Sequence, residues 1–186
     1  MRKLFQYGGI AASITLIAFG TGTIVMGVQG RDTVRTELAR EQIVGTPDST
    51  IPGQKVNTGA KAKEFAAVMR GHTLKATGGQ TYSQMGRFIG TDGKPTNDEK
   101  AAAIDKQTGK PVENGLRNMW VTETALTTAL NTAFFAENVA NFAIVMGIAL
   151  LLAGVGFGVV SLTVLAPSQK REGRHAQALQ AAVAGA

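Results

Sequence analysis

The sequence predicts an all-α membrane protein in which two transmembrane helices extend into an extracytoplasmic helical hairpin with a loop-rich excursion. Three observations lead to this prediction. Two long apolar runs, residues 4–30 and 139–166, contain no charged residue. Helical periodicity continues from each run toward the middle of the chain. Between these periodic segments lies a polar stretch, residues 47–114, in which glycine and proline recur.

Each apolar run is long enough to cross a bilayer as a helix. A hydrocarbon core about 30 Å thick needs about 20 apolar residues in a helix, and both runs exceed that length. They must be helical, because backbone groups in lipid have no water to bond and a helix pairs them internally. We therefore predict five segments: a cytoplasmic N-terminus (1–3), transmembrane helix 1 (4–30), an extracytoplasmic, mostly helical segment (31–138), transmembrane helix 2 (139–166) and a cytoplasmic basic and alanine-rich tail (167–186).

The basic residues near the two ends of the chain predict its orientation. Arg2 and Lys3 precede the first run, and Lys170, Arg171 and Arg174 follow the second. Because such residues beside a span stay in the cytoplasm, both termini are expected there, on a plasma membrane. The formal net charge of +6 is concentrated in these flanks, where it suits the headgroups of the lipid bilayer. We therefore expect no nucleic-acid partner.

A second interpretation treats the first run as a signal peptide that is removed after Gly30. The apolar stretch of a signal peptide usually has about 7–15 residues, and residues 4–30 form a much longer stretch. The two-span interpretation is therefore favoured. A mature protein whose mass lacks the first 30 residues would contradict it.

Small residues at four-residue spacing predict where the spans contact other helices. At that spacing they share one helix face, and without large side chains two backbones can approach closely. Three kinds of contact fit this prediction: between the two spans of the chain, with a membrane-protein partner, or between copies in a homo-oligomer. The eight predicted helix-packing residues are Ala18, Gly22, Thr23, Gly27, Ala149, Ala153, Gly154 and Gly158.

Helical patterns flank the irregular middle of the segment between the spans. The first helix is predicted to continue past its apolar run to about Val44. Residues 60–70, AKAKEFAAVMR, predict a second helix for which Gly71 is a plausible end. From Leu116 no residue breaks a helix until Pro167, so one long helix is predicted there.

Weaker signals lie in the irregular region itself. The tripeptide Gly-Lys-Pro occurs at 93–95 and at 109–111, and it predicts two similar turns. Thr96 and Glu99 have the spacing of a capping box and predict a short helix. Trp120 is too far from the second apolar run to anchor it at the membrane surface, so we predict that it is a core residue of the segment outside the membrane.

The residue types needed for several kinds of chemistry are missing or far apart. The chain has no cysteine, which excludes disulfides, thiolate metal sites and cysteine nucleophiles. The two histidines, His72 and His175, fall on opposite sides of the membrane in the predicted topology and so cannot share a metal. No serine lies in a Gly-x-Ser-x-Gly motif. We therefore predict no catalytic, cofactor-binding or metal site, and no enzyme.

Four segments give the chain a resemblance to a known family. They read EQIVGTPD (41–48), HTLKATGGQTYSQMGRF (72–88), GKPTNDEKAAA (93–103) and GKPVENGLRNMWVTETALTTALN (109–131). Over nearly its whole length the chain resembles small two-span membrane proteins from actinobacteria, a family without a characterised function. Some members carry the label of aromatic ring-opening dioxygenase, but two separated histidines cannot hold the non-haem iron of such enzymes. The resemblance implies location and architecture, and it assigns no site residue.

Two functional hypotheses follow. The leading one is a non-enzymatic integral membrane protein, an accessory or scaffolding component of the cell envelope that acts through helix–helix contacts. The alternative is an extracytoplasmic ligand sensor, which would signal through a partner protein because only residues 167–186 follow the second span. The first predicts a membrane-protein partner or a homo-oligomer, and the second predicts a small molecule bound outside the membrane.

Overall fold

A computed structural model describes residues 2–163 of the chain, and three α-helices dominate it. They are α1 (Arg2–Arg40), α2 (Gly59–Ala76) and α3 (Gly115–Thr163). Two of them, α1 and α3, are long and apolar enough to cross a membrane. The protein is therefore mostly helical, as predicted. The predicted tail, residues 167–186, lies outside the described residues.

The ends of the helices have local causes. α1 ends at Arg40 instead of near Val44, because the backbone of Gln42 turns through the left-handed region with φ of 53°. α2 begins after Thr58, whose side chain accepts a hydrogen bond from the amide of Lys61. The prediction that α2 ends at Gly71 is wrong, since the helix continues to Ala76. The long helix predicted from Leu116 is confirmed as far as Thr163, the last described residue, and α3 begins one residue earlier than predicted.

The irregular region contains a small antiparallel sheet that was not predicted. It consists of β1 (Phe88–Ile89) and β2 (Pro95–Thr96), with Phe88 opposite Thr96. Proline lacks the N–H that a helix interior requires, and Gly93 between the strands has a φ of 77°. The chain therefore turns back and pairs with itself. The short helix predicted after Thr96 is a single 3-10 turn, Glu99–Ala101, which Asp98 caps.

The two Gly-Lys-Pro tripeptides form similar turns, as predicted. Gly93 and Gly109 both have left-handed backbones, with φ of 77° and 67°. The proline after each turn pairs with the preceding segment: Pro95 lies opposite Ile89, and Pro111 opposite Ile104. Glycine adopts positive φ without steric cost, whereas a side chain would be strained there.

The described residues form two compact units. The apolar unit contains residues 2–28 and 142–163, and the polar unit contains residues 29–141. The core of the polar unit joins α1, the linker after it, α2 and α3. Trp120 is buried in this unit, which confirms its prediction as a core residue. The buried residues of the main core cluster are Leu38, Ile51, Val56, Ala62, Phe65, Ala66 and Leu130.

Candidate functional site

In the apolar unit, α1 and α3 pack antiparallel along a seam of small residues. A Cβ atom on Gly20 would lie 2.7 Å from the carbonyl oxygen of Gly147, and a Cβ atom on Gly147 would lie 2.7 Å from the carbonyl oxygen of Gly20. At Gly154 an added Cβ would lie 3.0 Å from the backbone nitrogen of Ile17. Real Cβ atoms do not approach other atoms this closely, so the two backbones can meet here only because these residues are glycines.

The buried residues of this seam repeat every seven positions. A seven-residue repeat keeps one helix face against a partner helix, as in left-handed coiled coils. Four-residue spacing, on which the sequence prediction relied, is typical of a different, right-handed crossing. The glycine seam, as we call it, consists of the six buried residues Ser13, Gly20 and Gly27 on α1 and Gly147, Gly154 and Ser161 on α3.

A buried hydrogen bond fixes the register of the glycine seam. The hydroxyl of Ser13 donates to the carbonyl oxygen of Gly154 over 2.7 Å. A Cβ atom on Gly158 would lie 2.9 Å from the same hydroxyl oxygen. Displacing one helix along the other would leave the Ser13 hydroxyl without this acceptor, and an unpaired polar group in an apolar environment is costly.

The eight predicted helix-packing residues divide into two groups. Gly27, Gly154 and Gly158 lie in or beside the glycine seam, and Thr23 is half-buried with its hydroxyl bonded to the carbonyl of Phe19. The other four are exposed, and an added Cβ on Gly22 would meet nothing within 4 Å. Packing of this second group against another helix stays a prediction. The exposed group is Ala18, Gly22, Ala149 and Ala153.

In the polar unit a buried carboxylate, Glu137, joins all three helices. One of its oxygens accepts a hydrogen bond from Nε of Arg35 at 2.7 Å, and Nη2 of the same guanidinium forms an ion pair with this oxygen at 2.6 Å. Its other oxygen accepts a hydrogen bond from the amide of Gly59, the first residue of α2. Gly59 must be small, since an added Cβ would lie 2.8 Å from Cα of Phe134. This Glu137 clamp holds the start of α2 between α1 and α3.

A second buried carboxylate joins α2 to α3. Oε2 of Glu123 accepts a hydrogen bond from Nη1 of Arg70 at 2.9 Å, and the Glu123 side chain is 2% exposed. The guanidinium of Arg70 also lies over the ring of Trp120, 4.1 Å from its centre. A cation over an aromatic face is attracted by the ring quadrupole. These contacts explain how a charged residue is kept at the α2–α3 interface.

The linker after α1 is attached to α2 through a histidine–aspartate contact. Nε2 of His72 lies 2.6 Å from Oδ2 of Asp48. This hydrogen bond, with a smaller contribution from Thr46, lowers the pKa of the Asp48 carboxyl to about 2. Both side chains are well exposed. The contact therefore has the character of a structural tether, without the burial that tunes a catalytic base.

Replacing His72 with alanine should raise the pKa of Asp48 from about 2 toward its ordinary value of 3.8, because the principal hydrogen bond to the carboxylate is lost. Since the folded-state pKa lies below the unfolded value, the contact stabilises the fold above about pH 4 and is lost as pH falls through about 2. An NMR titration of the aspartate carboxyl carbons measures this shift. Asp105 is the control, because amides of Thr108 and Gln107 lower its pKa, and an unchanged Asp48 would contradict the assignment.

Three acidic residues of the irregular region stabilise its turns. The spacing of the acidic residues there does not match an EF-hand, and Asp92, Asp98 and Asp105 each accept hydrogen bonds from backbone amides two or three residues later. Oδ1 of Asp92 accepts from Lys94 at 3.0 Å, and Oδ1 of Asp98 accepts from Lys100 at 2.9 Å. Among residues 2–163, no three histidine, aspartate or glutamate side chains converge as a metal site would require.

An open apolar groove of about 520 Å³ lies along α1 and α3 within the polar unit. Val34 and Leu38 of α1 and Leu126 and Leu130 of α3 contribute to its floor, and Glu37 belongs to its α1 edge. We call it the stalk groove. Sequence reasoning missed it, because the groove exists only where two helices distant in sequence lie side by side. Val34, Leu38, Leu126 and Leu130 were recognisable only as the apolar positions of two separate helices.

The fold and these contacts define a mostly helical protein with two helices long and apolar enough to span a membrane. Comparison of the chain with protein-family models, with curated proteins and with solved structures finds no match.

Proposed function

We propose that this chain is a non-enzymatic integral protein of the plasma membrane, an accessory or scaffolding component of the cell envelope that acts through helix–helix contacts. The exposure of its apolar helices carries the proposal. Only 11% of the most apolar window of α1, and of α3, is buried. Large exposed side chains such as Phe19, Leu152 and Phe157 lie on these helices. The core helix of a soluble protein buries such residues, whereas a membrane helix presents them to lipid.

The packing of the apolar unit supports two retained spans over a cleaved signal peptide. The contact between Gly20 and Gly147 requires both helices, and Gly9 meets Ser161 so closely that an added Cβ would overlap its hydroxyl. A signal peptide that is removed after export is not expected to pack in register against α3. The resemblance to small two-span actinobacterial proteins agrees with this arrangement and stays a prediction.

The proposed orientation places both termini in the cytoplasm and residues 31–138 outside. Since the chain has no cysteine, single cysteines can be introduced without a background. A cysteine in place of Lys106, which is exposed, should react on intact cells with a thiol reagent that does not cross membranes. One in place of Ser168 should react only after the cells are opened. The opposite pattern would reverse the proposed orientation.

Co-purification tests the scaffolding function. The full chain, tagged at its C-terminus and extracted in mild detergent, should carry a membrane protein at fixed stoichiometry, visible by native mass spectrometry. Leucine in place of both Ala149 and Ala153 should release that partner without unfolding the chain, because both residues are exposed and lie outside the glycine seam. Leucine at Ile148 and Val155, on another exposed face of α3, is the matched control. A chain purified without any partner would contradict the proposal.

The stalk groove supports a second candidate function, the extracytoplasmic ligand sensor. Its volume of about 520 Å³ falls in the range of roughly 300–1,000 Å³ that small-molecule sites occupy. The same native mass spectra distinguish the two candidates. A small molecule that stays bound to the purified chain, together with the absence of a stoichiometric protein partner, would favour the sensor.

A further inference from the structure

We infer that the stalk groove binds a basic amphipathic helix of a partner protein. This inference rests on the proposed scaffolding function and specifies the chemistry of the partner. Recognition of this kind places the apolar face of one helix in a groove between others. The shape, the lining and the charge of the groove each support this occupant.

The groove has the length of a short helix. It extends from Thr33 on α1 to Ile43 just beyond the end of that helix, and from Leu126 to Ala136 along α3. At about 1.5 Å per residue this is roughly 15 Å, or about three helical turns. No residue of α2 lines it, so within the described part of the chain this side of the α1–α3 pair has no third helix.

The α3 wall permits close approach of a helix backbone. Ala129, Ala133 and Ala136 line it, and they are spaced by four and three residues along α3. That spacing places them on one helix face. Short side chains along one face let another helix pack at a small distance, while Leu126 and Val34 provide apolar surface for its larger side chains.

The α1 edge of the groove is acidic. Glu37 on α1 and Glu41, the residue directly after the end of α1, both line the groove. Arg40 pairs with both oxygens of Glu37 at 2.8 Å, whereas Glu41 forms no ion pair with any residue among 2–163. Lysine or arginine side chains of an incoming helix would complement this edge.

The same charges disfavour a second copy of this chain as the occupant. In a twofold interface the same surface is used by both copies. A twofold arrangement that sets the α1 edge of one groove against the α1 edge of the other would bring Glu37 and Glu41 of one copy toward those of the other. Like charges brought together at an interface cost free energy, so the observations favour a partner whose helix is basic.

Photo-crosslinking of the full chain in its native membrane tests the inference. A benzophenone amino acid in place of Ala133, inside the groove, should link to a partner peptide that carries lysine or arginine among apolar residues at helical spacing. The same amino acid in place of Asn131, which is exposed on α3 outside the groove, is the matched control. Glu37→Lys combined with Glu41→Lys should reduce the Ala133 crosslink about tenfold or more while the melting temperature stays near that of the parent.

Each other outcome overturns the inference. A link from position 133 to lipid, to a second copy or to a segment without basic residues would assign the groove to that occupant instead. Equal linking from positions 131 and 133, or no link from either, would show that the groove is not the contact surface. If a stoichiometric partner co-purifies but does not link at position 133, the inference fails and the scaffolding function stands. If no partner co-purifies, the scaffolding function itself fails.

Discussion

Leucine in place of Gly147 should force α1 and α3 apart and strongly destabilise the apolar unit. The carbonyl oxygen of Gly20 and the backbone nitrogen of Ile24 would lie 2.7 Å and 3.0 Å from the new Cβ. Backbone atoms cannot rotate away as the end of a flexible side chain can. Overpacking costs about 1–3 kcal/mol in a well-packed interior and more where backbone must move, so we expect a loss of about 3 kcal/mol.

Unfolding of the full chain in mixed micelles, followed by circular dichroism, measures this loss. Leucine at Gly156 is the matched control, because an added Cβ there meets nothing within 4 Å. That substitution should change the free energy of unfolding by less than about 0.5 kcal/mol. Similar stabilities of the two variants would mean that the glycine seam does not hold the helices together.

Alanine in place of Glu137 should have the second-largest effect, this time in the polar unit. The substitution leaves the Arg35 guanidinium and the Gly59 amide without their acceptor. Removing one partner of a buried ion pair typically costs about 3–5 kcal/mol. Because Arg35 is 44% exposed and can be solvated by water, we expect about 2 kcal/mol.

Glu37 provides the matched control for this prediction. It also pairs with an arginine, Arg40, but both of those side chains are more than half exposed. Alanine at Glu37 should therefore cost at most about 1 kcal/mol. A double-mutant cycle with Arg35→Ala isolates the Arg35–Glu137 contribution. Additive effects of the two substitutions would contradict the description of Glu137 as a clamp.

The sequence predicts the long helices because their signals are continuous. Each apolar run is uninterrupted, and a segment in lipid must be helical. After Leu116 no glycine–proline turn interrupts the chain, so the helical pattern there also continues. Part of the core of the polar unit could also be predicted from the sequence. Leu38, Phe65 and Leu130 follow helical periodicity, and all three are buried. Element ends were less predictable: Gly71 is tolerated inside α2, although glycine usually favours a helix end.

Only two of the six glycine-seam residues, Gly27 and Gly154, are among the predicted helix-packing residues, because the prediction relied on four-residue spacing. Glycine is abundant in both apolar runs, so many pairs at four-residue spacing arise, including Ala149 and Ala153, which are exposed. The seven-residue repeat from Gly147 to Gly154 to Ser161 was present in the sequence and would have indicated the buried face. The Glu137 clamp was beyond prediction, because its members come from three separate segments and nothing local links Arg35 to Gly59.

The glycine seam also has a consequence in time. Ser13 and Gly154, which share its hydrogen bond, are 141 residues apart in sequence. At about 5–20 residues synthesised per second, roughly 7–28 s separate the emergence of the two. During this interval α1 is an unpaired helix with a bare glycine face. The hydroxyls of Thr21 and Thr23 donate to carbonyl oxygens of their own helix. These two hydroxyls therefore need no hydrogen-bond acceptor from α3 during this interval.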